Sequence, residues 1–134
     1  MTSRRGTLVE DGARELLQVS GYAVRIVPPG YPRGYPPVHL IATRPSGETR
    51  FIRVRKISRR PSTAESIPID FPLDLARLRE YLSGHSGVTG LRCELWLYSL
   101  TYGFRCFEIL PESIREIREP STDEPGVAGT RGAA

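Results

Sequence analysis

The chain has 134 residues and a net charge of +4, with 39% hydrophobic and 25% charged residues, which suits one domain with its own core. No apolar run approaches the roughly 20 residues that span a bilayer, and Glu10 and Asp11 stand where a signal peptide would carry its apolar stretch. Cys93 and Cys106 are too few for a disulfide framework and, with two histidines, too few for a closed zinc set, so reduced packed thiols, a cytoplasmic compartment and no cofactor are expected.

Glu10 to Ser20 carries Ala13, Leu16, Leu17 and Val19 at near-helical spacing, and Gly21 follows in the usual position for ending a helix. Tyr22 to Val27 alternates and is β-branched, which predicts a strand. Pro28 to Pro37 is too proline-rich to supply ladder donors and reads as a loop. Val38 to Thr43 and Arg50 to Ile57 read as the two strands of a hairpin, turning at Pro45-Ser46-Gly47-Glu48.

Arg59 to Phe71 is polar and reads as irregular. Pro72 opens a second helix, with Asp70 and Asp74 favourable near its N-terminus and Leu73, Ala76, Leu78 and Leu82 as its expected buried stripe; Gly84 closes it. After a Gly-rich stretch, Leu91 to Ser99 and Phe104 to Leu110 form two further strands around a Tyr102-Gly103 turn. Trp96 and Tyr98 alternate with Leu95 and Leu97 on the longest strand and read as one sheet face or a homodimer contact. Pro111 to Arg118 is a short final strand or a helical turn. From Glu119 the chain lacks apolar periodicity, giving a domain over 1–118 and a disordered tail over 119–134.

The charge is unevenly spread. Arg25, Arg33, Arg44, Arg50, Arg53, Arg55, Lys56, Arg59 and Arg60 fall in one segment with a single acid, Glu48. Such asymmetry marks either a polyanion-binding face or a solvated charged one. Tyr31, Arg33 and Tyr35 interleave aromatic rings with a cation in the proline loop, a pattern that stacks on bases or simply covers a sheet edge. His39 stands alone near a strand start with no carboxylate assigned to it, and His85 sits in the Gly-rich loop.

The order α-β-β-β-α-β-β, with Gly21-Tyr22-Ala23-Val24-Arg25-Ile26, Pro37-Val38-His39-Leu40-Ile41-Ala42 and Phe51-Ile52-Arg53-Val54-Arg55 on its first strands, resembles the PD-(D/E)XK nucleases, archaeal Holliday junction resolvases among them. The resemblance covers roughly residues 10 to 110. It implies an α/β, restriction-endonuclease-like fold: a mixed central sheet flanked by helices. It also implies a site in which an aspartate opens the second strand and a Glu-x-Lys triplet lies on the third, the acids holding Mg²⁺. Those positions fall here on His39, Arg53 and Arg55, and the family's acid on the first helix falls on Glu15 or Glu10.

Two guanidinium groups repel a hard cation but suit a phosphate. The expectation is therefore a catalytically inactive module binding DNA or RNA phosphates through Arg53, Arg55, Lys56, Arg59 and Arg60, with Tyr31, Arg33 and Tyr35 as an accessory loop. A structural or protein-interaction subunit, pairing as a homodimer, is the alternative. An active nuclease with relocated acids would need Glu15, Glu48 or Asp70.

Overall fold

The computed structural model describes residues 4–28, 37–57, 62–118 and 120, with side chains from Val9 onward. Helix α1 (Arg4–Val19) leads into β1 (Ala23–Ile26), β2 (Leu40–Thr43) and β3 (Thr49–Lys56). A single turn α2 (Ile67–Asp70) and helix α3 (Pro72–Gly84) follow, then β4 (Leu91–Ser99), β5 (Gly103–Ile109) and β6 (Ile114–Ile117).

The six strands form one sheet in chain order. Every neighbouring pair is antiparallel except β3 and β4, which run parallel. A parallel pair cannot be joined by a tight turn, and the α2–α3 segment makes the crossover. Alternation along the strands divides the core between two faces. Ala13 and Leu17 of α1 pack with Leu40, Ile52, Val54 and Trp96. On the other face, Leu75 and Leu78 of α3 and Ile67 of α2 pack with Phe51, Leu95, Leu97 and Phe107.

Helix α1 closes with the Gly21 N–H donating to Gln18 C=O and the Tyr22 N–H to Leu17 C=O, at 3.0 Å each. That pair of bonds requires a left-handed residue after the helix, and Gly21 supplies it at φ 95°. The helix starts earlier than expected, at Arg4 rather than Glu10; Gly6 and Gly12 dilute the periodic signal without breaking the helix. Gly12 faces the ring of Phe104, 3.6 Å from where its Cβ would stand.

Three other expectations are corrected. The segment before Pro72 is not wholly irregular: Thr63 and Ser66 bond each other's backbone N–H groups, and the α2 turn drives Ile67 into the core. Helix α3 buries Leu75 and Leu78, with Leu82 and the preceding Phe71 partly buried beside them, while Leu73 is 63% exposed and Ala76 is exposed. The helix is rotated so that Asp74 turns inward. Trp96 is fully buried against α1 residues, so it belongs to the core and not to an exposed homodimer face.

The final segment takes the strand form, pairing β6 with β5. Packing also reaches past residue 118, because Pro120 is fully buried; residues 121–134 lie outside the described residues. Cys93 and Cys106 are buried and not joined in a disulfide, and burial, with Glu94 and Glu108 adding to it, pushes the Cys93 thiol up to about 12. Among the described residues no helix is long and apolar enough to cross a membrane.

Candidate nucleic-acid interface

Strand β3 ends in Arg53-Val54-Arg55-Lys56. Residues two apart on a strand share a face, so Arg53 and Arg55 both turn toward α3. There they meet Asp74, in the first turn of that helix. Arg53 Nε donates to Asp74 Oδ1 at 2.6 Å, and Arg55 Nη1 donates to Oδ2 at 2.8 Å and to Oδ1 at 3.1 Å. Arg53 Nη1 donates also to the Pro37 carbonyl at 2.9 Å. The Arg55 guanidinium lies 5.6 Å from the Phe71 ring centroid.

One carboxylate thus clamps two guanidiniums. The Asp74 side chain is 6% exposed and that of Arg53 17%, whereas Arg55 remains 44% exposed. The clamp fixes both forks in place and leaves an excess of positive charge. Lys56, on the other face of the strand, is exposed.

His39 closes the neighbouring corner. The β2–β3 ladder pairs Leu40 with Ile52, yet the His39 N–H already bonds Ile52 C=O, as at a bulge. The ladder stops there, and the Val54 N–H that it leaves over donates to His39 Nδ1 at 2.9 Å. An imidazole accepting at Nδ1 carries its proton on Nε2, and Nε2 faces Glu10 Oε2 at 3.9 Å. Burial, reinforced by the cations Arg53 and Arg55, lowers the His39 pKa to about 4. His39 is therefore a neutral N–H donor at pH 7. It is no general base, because the one lone pair it offers is already taken.

The sign of the resulting pH dependence follows from linkage. In the unfolded chain His39 protonates near 6.5, and in the folded chain near 4, so its contribution is full above pH 6.5 and is lost as the pH falls toward 4. The predicted loss across that window is about 2–3 kcal/mol, and His39→Gln should flatten it. Urea titrations from pH 7 to 4 that give parallel curves for both proteins would contradict the assignment.

Val9, Glu10, His39, Arg53, Val54, Arg55 and Lys56 together line a pocket of about 370 Å³. The structure thus brings together His39, Arg53, Arg55 and Lys56. It does not bring Glu15, which is exposed elsewhere on α1; the acid of that helix at the pocket is Glu10. Arg59, Arg60, Tyr31, Arg33 and Tyr35 lie outside the described residues. Arg50 leaves the basic stripe altogether: it is 5% exposed and paired with the buried Glu94. Of the other acids that a relocated site would need, Glu48 lies in the turn before β3, bonded by Tyr22 and Arg92, and Asp70 is exposed at the end of α2.

Glu10 was one of the two first-helix acids that the resemblance offered; it precedes Ala13 by three positions and Leu17 by seven, which places it on the flank of the buried stripe and favours it over Glu15. Asp74 read as a helix N-terminal acid, and nothing local to it reveals partners that are nineteen and twenty-one residues away.

No protein-family model matches the sequence, and no curated protein does. The fold itself has a counterpart. Hjc of Archaeoglobus fulgidus, a Holliday junction resolvase from an archaeal hyperthermophile, superposes with a TM-score of 0.55 over 84% of this chain and 88% of that one, at 18% identity. The fold is restriction-endonuclease-like.

Within the restriction-endonuclease-like fold, the resemblance drawn from the sequence implied a divalent metal at the positions of His39, Arg53 and Arg55. The residues present do not fit one. A hard cation wants several carboxylate or carbonyl oxygens. Here both Asp74 oxygens are held by arginines, His39 Nδ1 is held by the Val54 N–H, and Glu10 is left as the pocket's carboxylate. Among the described residues no three His, Cys, Asp or Glu side chains come together as a metal-binding group.

Proposed function

We propose that the chain is a catalytically inactive nuclease-like module that binds nucleic-acid phosphates at the end of β3. The observation that carries this reading is the Asp74 clamp: two guanidiniums oriented in advance, beside Lys56 and the His39 Nε2–H, around one pocket. Arg55 Nε and Nη2 make no hydrogen bond to Asp74 and remain able to grip a phosphate in a forked geometry. The neighbouring fold supports the reading, since a Holliday junction resolvase is built on it. Contacts of this kind follow the backbone, so affinity should depend little on base sequence and steeply on salt.

Fluorescence anisotropy of a labelled oligonucleotide across a salt series tests it. Removing one phosphate-binding cation lowers the slope of log K against log salt by about 0.9 on duplex, or about 0.7 on a single strand. Arg55→Ala/Lys56→Ala should therefore lower the slope by nearly 2 and leave the fold intact, because both side chains are substantially exposed. A slope unchanged in the double variant, or cleavage of branched DNA in Mg²⁺ or Mn²⁺, overturns the proposal.

A second reading has one observation in its favour. Ile69 and Leu73 are 78% and 63% exposed on adjacent turns of α2 and α3, an apolar spot that suits a protein contact. A dimer in light scattering that dissociates in Leu73→Glu, together with absent oligonucleotide binding, would favour a structural homodimer subunit over a nucleic-acid-binding module.

A further inference from the structure

A second basic pocket lies at the opposite end of β3, five residues before Arg55 and so roughly 16 Å away along the strand. It measures about 500 Å³ and is lined by Tyr22, Arg44, Glu48, Arg50, Arg92 and Arg118. We propose that this pocket is a phosphate-binding site, separate from the Asp74 clamp and taking either a backbone phosphate or a free phosphoryl anion.

The site is built from the inside outward. Glu94 is fully buried in the middle of β4 and receives Arg50 through two bonds, Nε to Oε2 at 2.8 Å and Nη2 to Oε1 at 3.0 Å. Arg50 Nη1 donates in turn to the Tyr22 hydroxyl at 2.9 Å, and Arg92 Nη2 approaches Glu94 Oε2 at 3.2 Å. Arg44 stacks over the Tyr22 ring at 4.3 Å from its centroid. Each of these guanidiniums is thereby held in one orientation, and little ordering remains for a ligand to impose.

The charges do not balance. Four guanidiniums border the pocket, against one carboxylate on its wall, Glu48, and one beneath it, Glu94. Extending the count to β5 and β6 adds Glu108 with Arg115 and Glu116 with Arg105, two opposite-charge pairs that leave the excess as it was, with Glu108 also 3.6 Å from Arg92 Nε. Two positive charges remain, and a phosphate group supplies up to two negative ones. Glu48 marks where such a group would go: its Oε2 accepts from the Tyr22 hydroxyl at 3.2 Å and from Arg92 Nη1 at 3.1 Å, while Arg44 stands 4.0 Å from Oε1. Glu48 sits on the β2–β3 turn, beside Gly47 at φ 101°, and is half-buried. It is thus an internal carboxylate on donors that an incoming phosphate can share.

Isothermal titration of the full chain with pyrophosphate at low salt tests this. Arg44→Ala/Arg118→Ala removes two wall cations without touching the buried Arg50–Glu94 pair, and should weaken binding about tenfold or more. Glu48→Gln removes the competing charge and should tighten binding several-fold, a gain that a purely structural ion network would not produce. Arg55→Ala/Lys56→Ala should leave pyrophosphate binding at this pocket unchanged, which separates the outcome from that of the clamp. An oligonucleotide arm tells the two sources apart: a salt slope lowered by the Arg44/Arg118 variant identifies a backbone phosphate, and an unchanged slope with pyrophosphate binding abolished identifies a free one. Pyrophosphate that fails to bind, or binds the Arg44/Arg118 variant as well as the parent, overturns the proposal.

Discussion

Glu94→Gln is expected to cost about 3–5 kcal/mol of folding stability, well beyond what a surface substitution does. The reason lies in what would be stranded. Glu94 is fully buried and accepts Arg50 through two bonds, the Trp96 indole N–H at 2.8 Å and an approach from Arg92. Glutamine keeps the shape and one carbonyl, but its amide nitrogen would point donors at donors, leaving Arg50 charged and almost unpaired at 5% exposure. Burial lowers the Arg50 pKa, and in the native chain Glu94 with the Tyr22 contact more than offsets it; the substitution removes the carboxylate's share, and because a guanidinium does not deprotonate in proteins the charge stays stranded. Domains of this size hold about 5–15 kcal/mol in all, so the loss should be obvious as a shifted urea midpoint. Arg50→Met in the Glu94→Gln background should restore part of it, because removing both partners leaves no orphan charge. A loss below about 1 kcal/mol for Glu94→Gln would mean that the buried pair does not organise this part of the sheet.

The same pair shows why parts of the molecule were legible in the sequence and others were not. Hairpins, helix ends and strand alternation are local: Gly21 after a periodic run, Pro72 before one, and Ser46-Gly47 between two β-branched runs each act within a few residues. The element order and the fold class follow from such signals. That His39, Arg53 and Arg55 share one corner also follows, since strand register brings them to the same end of the sheet.

What could not be read is which charges cancel. Arg50 and Arg55 look alike in a basic stripe, but strand parity sends one under α1 to Glu94 and the other toward α3 to Asp74. An acid inside the apolar run Leu91 to Ser99 was a visible hint that a buried partner existed. Its identity depended on β4 lying parallel to β3, which the crossover decides and no local pattern announces. The phase of α3 was hidden for the same reason: Leu73 and Ala76 fit a helical stripe as well as Leu75 does, and the Asp74 clamp with Phe71 beside it favours one rotation over the other.

That clamp yields an expectation of opposite sign for stability and for binding. Asp74→Asn should lower stability by about 2–4 kcal/mol, since Arg53, 17% exposed, loses its charged partner. Arg55 contributes less to that loss, being 44% exposed and so well screened by solvent. Yet the same substitution removes a negative charge within 3.1 Å of both guanidiniums. Oligonucleotide affinity at 50 mM salt should then rise, by about tenfold if one additional charge becomes available, with a salt slope steeper by up to about 0.9. Anisotropy well below the lowered unfolding temperature separates the two effects. Asp74→Glu serves as the control, keeping the charge while disturbing the fit. If Asp74→Asn weakens binding along with stability, the carboxylate acts by positioning the arginines and not by restraining their charge. If neither protein binds any oligonucleotide, the arginine pair exists to hold α3 against β3, and the interface proposed at this end of the sheet is absent.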